Sequence, residues 1–364
     1  MAIDSVNPAL VPGGAGEGEI ARFVARWARD EGLDVDVVEA THGRPSVIAR
    51  ARGTGGGRTL LLCGHTDTVN VEGMIEPHTP RVDGDRMYGR GTYDMKAGLA
   101  AALIACREAA KLGLAGDVVV AAVADEEYKS IGVQEILETV RADAAIVTEP
   151  TELDIGVAHK GFVWFDIEVT GRAAHGSRPH LGVDAIVKVG PILTALGELD
   201  AALGAHAHPL VGRPSTHASL IEGGVEMSSY PARCVIRLER RTIPGETVAD
   251  AEQEIDALLN RCRAADPDLQ VERRTSFHRE PLEVDPGDEI VTAVMAAAHA
   301  HGASPSLIGA SYWADSGLIA AAGIPTVLFG PGGVGAHEIV EWVSIDQTET
   351  VARTLLATAE RICA

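Results

Sequence analysis

The stretch Leu60-Leu61-Leu62-Cys63-Gly64-His65-Thr66-Asp67-Thr68-Val69 combines an apolar run with a His-x-Asp pair. Alternation along an extended chain puts His65 and Asp67 on one side. That suits an imidazole that binds a metal through one ring nitrogen while a carboxylate holds the other. The plainer alternative is a histidine packed at a strand end beside an acidic loop residue. Two later apolar runs end in the same way. Val118 to Ala124 stops at Asp125-Glu126-Glu127, and Ala144 to Val147 stops at Thr148-Glu149-Pro150. Adjacent side chains diverge, so one glutamate can ligate a metal while its neighbour faces the metal-bound water; a solvated acidic loop is the plainer alternative. In open α/β sheets ligands collect outside the carboxyl ends of strands, and these three runs place acids and a histidine there. Asp94, after Gly89-Arg90-Gly91, stands where a loop meets an alanine-rich helix and has a second explanation as an N-cap. With His337, the donors His65, Asp94, Glu127 and Glu149 are all nitrogen or oxygen, which suits zinc, cobalt or manganese. Two histidines and three carboxylates suffice for two ions when one carboxylate bridges.

The elements that must position these residues follow from the rest of the chain. Its 364 residues fit one large or two ordinary domains, and 46% apolar residues allow a sizeable core. With aromatics at only 4%, that core is built from Ala, Val, Leu and Ile. Short apolar runs alternating with helical stretches predict an α/β fold, a mixed sheet flanked by helices. Helices are expected over 19–31, 95–111, 184–199, 247–263, 288–301 and 345–363. Near Ile155 the rhythm changes. Val163 to Val169 alternates apolar with Trp164, Asp166 and Glu168, as in a half-exposed antiparallel strand. Strands at 216–222 and 232–241 with two helices complete an α+β insert. The expected division is 1–155 with 272–364 as the catalytic domain and 156–271 as the insert.

Composition excludes several classes. A net charge of −21 repels nucleic acid and anionic membrane. The five scattered cysteines contain no C-x-x-C pair, so a disulfide framework or cysteine–zinc site is not expected. There is no basic-then-apolar leader and no membrane-length apolar run, and the reading is a cytoplasmic protein. Gly330-Pro331-Gly332-Gly333-Val334-Gly335 has the G-x-G-x-x-G form, but Pro331 removes a donor and no long helix follows, so it is not read as a nucleotide fingerprint. No G-x-S-x-G elbow or Walker A motif is present.

The motifs at 64–69, 89–98, 125–127, 148–150, 171–179 and 330–337, in this order, resemble the M20 family of metallohydrolases: acetylornithine deacetylase, succinyl-diaminopimelate desuccinylase, aminoacylase-1 and the glutamate carboxypeptidases. The resemblance spans nearly the whole chain. It implies two Zn2+ per subunit, replaceable by Co2+. His65 and Glu149 would each hold one terminal position on different ions, Glu127 and His337 would complete the two shells, and Asp94 would bridge. Glu126 would be the general base, and Asp67 would orient His65. The insert would be a lid and dimerisation domain whose His175 reaches the partner's site in a homodimer. Arg241, in Glu239-Arg240-Arg241, would bind a substrate carboxylate, with Arg178 as another candidate; an Arg–Glu surface pair is the alternative for Arg241. Ser228 stands where relatives often carry Asn, and Met74-Ile75-Glu76-Pro77 replaces a loop that often carries Trp. Asp315 matches a family aspartate without a defined role. His159, His206, His208, His217, His278, His299 and His301 lack motif context and read as structural or surface residues. The implied activity is amide hydrolysis of N-acyl amino acids, like the deacetylases and desuccinylases. A dipeptidase or carboxypeptidase is the runner-up. A non-catalytic small-molecule or peptide-binding relative is the rival, which would have no use for Glu126.

Overall fold

Leu60–His65, Val118–Val123, Ala144–Val147 and Thr326–Leu328 are aliphatic runs without polar alternation, and such strands need cover on both faces. In the computed structural model, which describes residues 1–364, all four are buried and lie side by side. Leu60–His65 is central, parallel to Val118–Val123 on one side and to Ala144–Val147 on the other. Thr326–Leu328 adds in parallel beyond Ala144–Val147. Ser46–Ala51 and Asp34–Val38 extend the opposite side as antiparallel strands. The sheet is therefore mixed and flanked by helices, as its sequence pattern predicts. All four parallel strands point their carboxyl ends the same way, which brings the segments after His65, Val123, Val147 and Leu328 to one rim.

Small residues let the helices come close. Ala97–Ala109 packs against Ile345–Ile362, which in turn packs against Glu289–Ala300. At Gly98 a Cβ would lie 1.9 Å from the Thr148 carbonyl oxygen, so only glycine lets this helix pass over the strand end that carries Glu149.

The chain divides into two units. One comprises Met1–Val157, Val284–Ile308 and Ala314–Ala364; the other comprises Ala158–Glu283 with Gly309–Trp313. The second unit thus extends beyond residue 271. The reason is Gln270–Arg279, a strand that pairs antiparallel with Gly161–Thr170. Only Val271 in it is buried, so its polar sequence carries almost no strand signal. The sheet order is Ser215–Gly223, Arg233–Thr242, Gly161–Thr170, Gln270–Arg279. Val163, Phe165, Ile167 and Val169 face the helices Ala185–Leu203 and Val248–Ala265 through Ile192, Leu196, Ile255 and Leu258.

Half of the chain's fourteen aromatic rings lie in this second unit, and four of them form a cluster. Phe162 lies 5.2 Å from Trp164 and 6.3 Å from Trp313, and Trp164 lies 5.4 Å from Phe277. His159 is fully buried beside them, 6.1 Å from Trp313, with Nδ1–H donating to the Lys160 carbonyl at 2.9 Å. Burial pushes its pKa down to about 4. The unfolded chain, with a pKa near 6.5, then binds a proton that the native state refuses, so this site costs stability as pH falls from about 6.5 to 4. The full effect is about 3 kcal/mol. We expect His159→Phe to remove that portion of the acid sensitivity, measured as the wild-type-minus-variant difference in denaturant-unfolding free energy at pH 7 and pH 4. An identical pH slope in the two proteins would rule the account out.

Candidate metal centre

His65 ends its strand with the ring fully buried. Its Nδ1–H donates to the main-chain carbonyl of Asp67 at 2.9 Å, whereas the Asp67 carboxylate stands 3.6 Å from the same nitrogen. The carbonyl therefore aims the ring more directly than the carboxylate does. That carboxylate is engaged elsewhere. It accepts the amides of Glu126 at 3.1 Å and Glu127 at 3.2 Å, and the Asn7 side-chain amide at 2.8 Å. Asp125, with φ +67°, adopts the left-handed turn that brings both glutamate amides round to it. Asn7 also donates to Asp125, which receives Arg44, and Arg44 is held by the buried Glu17 at 2.6 Å. Asp67 therefore couples the His65 strand end to the Glu126–Glu127 turn.

Asp94 does not cap the helix after it; Ala97–Ala109 has no side-chain cap. It sits in a widened turn, Thr92–Lys96, with φ −112° and ψ 97° and a cis peptide to Met95. Its carboxylate points two ways, with Oδ1 3.0 Å from His65 Nε2 and Oδ2 3.3 Å from His337 Nε2. Glu149 approaches His65 Nε2 at 3.9 Å, and Glu127 lies 3.1 Å from His337 Nε2. Two ligand groups result, His65–Asp94–Glu149 and Asp94–Glu127–His337, which share Asp94; His65 and Glu149 thus fall in one group, 3.9 Å apart, and not on different ions as the resemblance implied. The first is closed and the second open: the His65 side chain is 1% exposed and that of His337 56%.

The electrostatics fit divalent cations. Burial, and then the charges of Asp94 and Glu127, push Glu149 up to about 8. Burial likewise raises Glu127 and lifts Glu126 well above the carboxylate range, and the charge of buried Asp315 adds to the Glu126 shift. Burial alone would depress His65, yet its bond to Asp94 and the surrounding carboxylates raise it well above its ordinary value. Bonds to Asp94 and Glu127 lift His337 to about 10. Both nitrogens of His65 face oxygen acceptors, so the ring is held as imidazolium unless a cation takes the Nε2 side. Asp94, Glu127 and Glu149 pair with these two histidines, and a nitrogen–oxygen donor set of this kind suits zinc or a similar ion.

The remaining candidates lie in the second unit. His175 is exposed, with Nδ1 2.8 Å from Ser177 Oγ. It is linked to the Ser228 segment, since the Gly176 amide donates to the Ser228 carbonyl at 2.7 Å. Arg178 is exposed. Arg241 is held by Glu239 at 2.6 Å and stacks over Phe162, and Trp164 donates to the same glutamate.

Sequence reasoning missed Glu341 and Arg90. Glu341 is 1% exposed, and its carboxylate accepts the amides of Gly91, Tyr93 and Asp94 at 3.0, 2.8 and 3.1 Å. Arg90 pairs with it at 2.7 Å and also donates to the carbonyls of Asn70 and Glu338. An acid alone in the apolar run Ile339-Val340-Glu341-Trp342-Val343 was the available signal.

Residues 61–361 match the model of peptidase family M20/M25/M40. The chain belongs to that family. An M20 member is a metallohydrolase that uses divalent ions. This M20 chain is 29% identical to an acetylornithine deacetylase of Vibrio atlanticus, over 100% of this chain and 96% of the relative. It is 30% identical to one of Proteus mirabilis, over 94% and 90%. A tripeptidase structure from Staphylococcus aureus superposes with a TM-score of 0.80 at 21% identity, covering 100% of this chain and 95% of that one, which shows the shared fold.

Removing a residue that orients metal ligands typically costs about 10–100-fold in metal affinity. Glu341→Ala should therefore weaken zinc binding by about that factor, read by chelator competition on the metal-free protein. Glu341→Gln, which keeps an acceptor for the amides, should fall between. Unchanged affinity in a folded Glu341→Ala variant would remove Glu341 from this role.

Proposed function

We propose that this M20 hydrolase removes the acyl group of N-acyl amino acids, with two zinc ions per chain held by His65, Asp94, Glu127, Glu149 and His337. The observation that carries the reading is the pair of ligand groups joined through Asp94, with Glu126 between Asp125 and the ligand Glu127. Bound there, divalent ions would polarise the amide carbonyl and lower the pKa of water. Asp94 holds the two groups in register, and Glu126 takes the water proton and returns it to the leaving nitrogen. Asp67 fixes the backbone from which Glu126 projects. Full-length similarity to acetylornithine deacetylases supports deacylation over peptide cleavage.

The second unit supplies the lid in this reading. Substrate contacts are assigned to Arg241, Arg178 and Ser228, and Arg241 exchanges Glu239 for a substrate carboxylate. A homodimer is supported by apolar residues at one sheet edge: Leu220 and Ile221 on the outer strand Ser215–Gly223, then Val225 and Met227. Ile186 and Val187 on the helix Ala185–Leu203 are exposed as well. His175 would act from the partner as a donor to the developing oxyanion. No helix is long and apolar enough to cross a membrane, which is compatible with a cytoplasmic enzyme.

Glu126→Ala should lower kcat by at least about 100-fold with zinc content unchanged, by metal analysis and turnover of N-acetyl amino acids. Retained turnover would sink the mechanism. His175→Ala should also be inactive, and mixing it with Glu126→Ala should restore activity through one intact composite site. No recovery in verified heterodimers would overturn the action of His175 from the partner.

A further inference from the structure

Beside the centre, and wholly within the first unit, lies a cleft of about 390 Å3. Its walls include Met74, Ile75, Tyr88, Ile339, Val340 and Glu341. One wall is the segment that follows the Asp67 strand end; the other follows His337. The apolar groups are open: Ile75 is 92% exposed, Ile339 63% and Val340 56%. Exposed isolated apolar residues are ordinary, but a group of them lining one concavity marks a binding surface. The cleft is also pre-formed. Arg90 lies beneath both walls, with Nε donating to the Asn70 carbonyl and Nη2 to the Glu338 carbonyl, and it is itself pinned by buried Glu341. A Cβ at Gly73 would come 3.2 Å from Ile339 Cγ2, so the two walls touch.

Two observations tie the cleft to the reaction. Glu341 forms part of its floor and holds the Asp94 amide. Ile339 and Val340 directly follow His337 and Glu338, on the open side of the centre. Three charged residues line it: exposed Glu76, whose charge disfavours an anion, with Glu341 and Arg81, both engaged by the protein. The Glu341 carboxylate is consumed by amides and Arg90, and Arg81 stacks on Tyr88 and pairs with Asp83 at 3.5 Å. The volume falls within the range of small-molecule sites, roughly 300–1,000 Å3.

We propose that this cleft receives an uncharged aliphatic chain of the amide substrate, making the enzyme selective for amides that carry one. The proposal rests on the amide-hydrolase reading above. The chain can belong to the acyl group or to the amino acid, and the test separates these sources.

The experiment compares kcat/KM of the zinc-loaded full-length protein for N-acetylglycine, N-octanoylglycine and N-acetylleucine. The expected result is that one of the latter two exceeds N-acetylglycine by about tenfold or more, the size of effect that an apolar pocket gives for added methylenes. A preference for N-octanoylglycine assigns the cleft to the acyl side, and a preference for N-acetylleucine to the amino-acid side. Ile339→Glu should reduce that preference about tenfold. Ile75→Glu, at a residue so exposed that folding tolerates it, should do the same, with zinc content and thermal unfolding as controls. Hydrolysis without preference, or a preference that survives both variants, would overturn the proposal while leaving the amide-hydrolase reading intact. Failure to hydrolyse any of the three would overturn both.

Discussion

Asp94, Glu126, Glu127 and Glu149 converge on one rim of the sheet, and their mutual repulsion must be opposed by the protein that gathers them. The fold does this with main-chain amides and two guanidinium groups, Arg90 buried and Arg44 partly so. Glu341 grips the amides around Asp94 and is neutralised by Arg90. Asp67 grips the amides of Glu126 and Glu127, while Arg44 offsets the neighbouring Asp125 and Glu17. In both cases a carboxylate that binds no ion fixes the backbone of one that would. An array of this kind costs free energy in the bare protein and is relieved by cations, which is why the geometry so strongly favours a metal centre.

Much of this could be read in the sequence for a simple reason. Strands covered on both faces leave uninterrupted aliphatic runs, and three such runs end in His65, Glu126–Glu127 and Glu149. The rim of a parallel sheet then follows from topology. Helix boundaries were legible where local chemistry sets them, as in the reciprocal Thr247–Asp250 cap. What escaped depends on distant partners. Asn7 meets Asp67, and Glu341 meets the Asp94 amide, across long stretches of chain with no local pattern. Gln270–Arg279 escaped because an outer strand with polar residues on both faces shows little alternation. Asp94 had the signature of a helix cap and is not one, because the turn that contains it bends its carboxylate towards the histidines instead.

The two ligand groups differ in their surroundings more than in their chemistry. The His65 side is sealed under the helix that Gly98 allows to lie close, whereas His337 stands on an open loop with φ +62°. The loop that carries His337 also carries the apolar wall of the neighbouring cleft. Reactivity and selectivity can therefore vary separately, since the sheet rim sets the first and the exposed loop sequence the second.

The clustered rings of Phe162, Trp164, Phe277 and Trp313 have a spectroscopic consequence. Closely packed aromatic rings in a fixed chiral arrangement contribute strongly to near-ultraviolet circular dichroism, and this cluster holds two of the chain's four tryptophans. The metal centre lies in the other unit and is read by its ions. Tertiary order around this cluster is thus followed by circular dichroism, whereas loading of the sheet rim with Zn2+, a d10 ion, is followed by metal analysis.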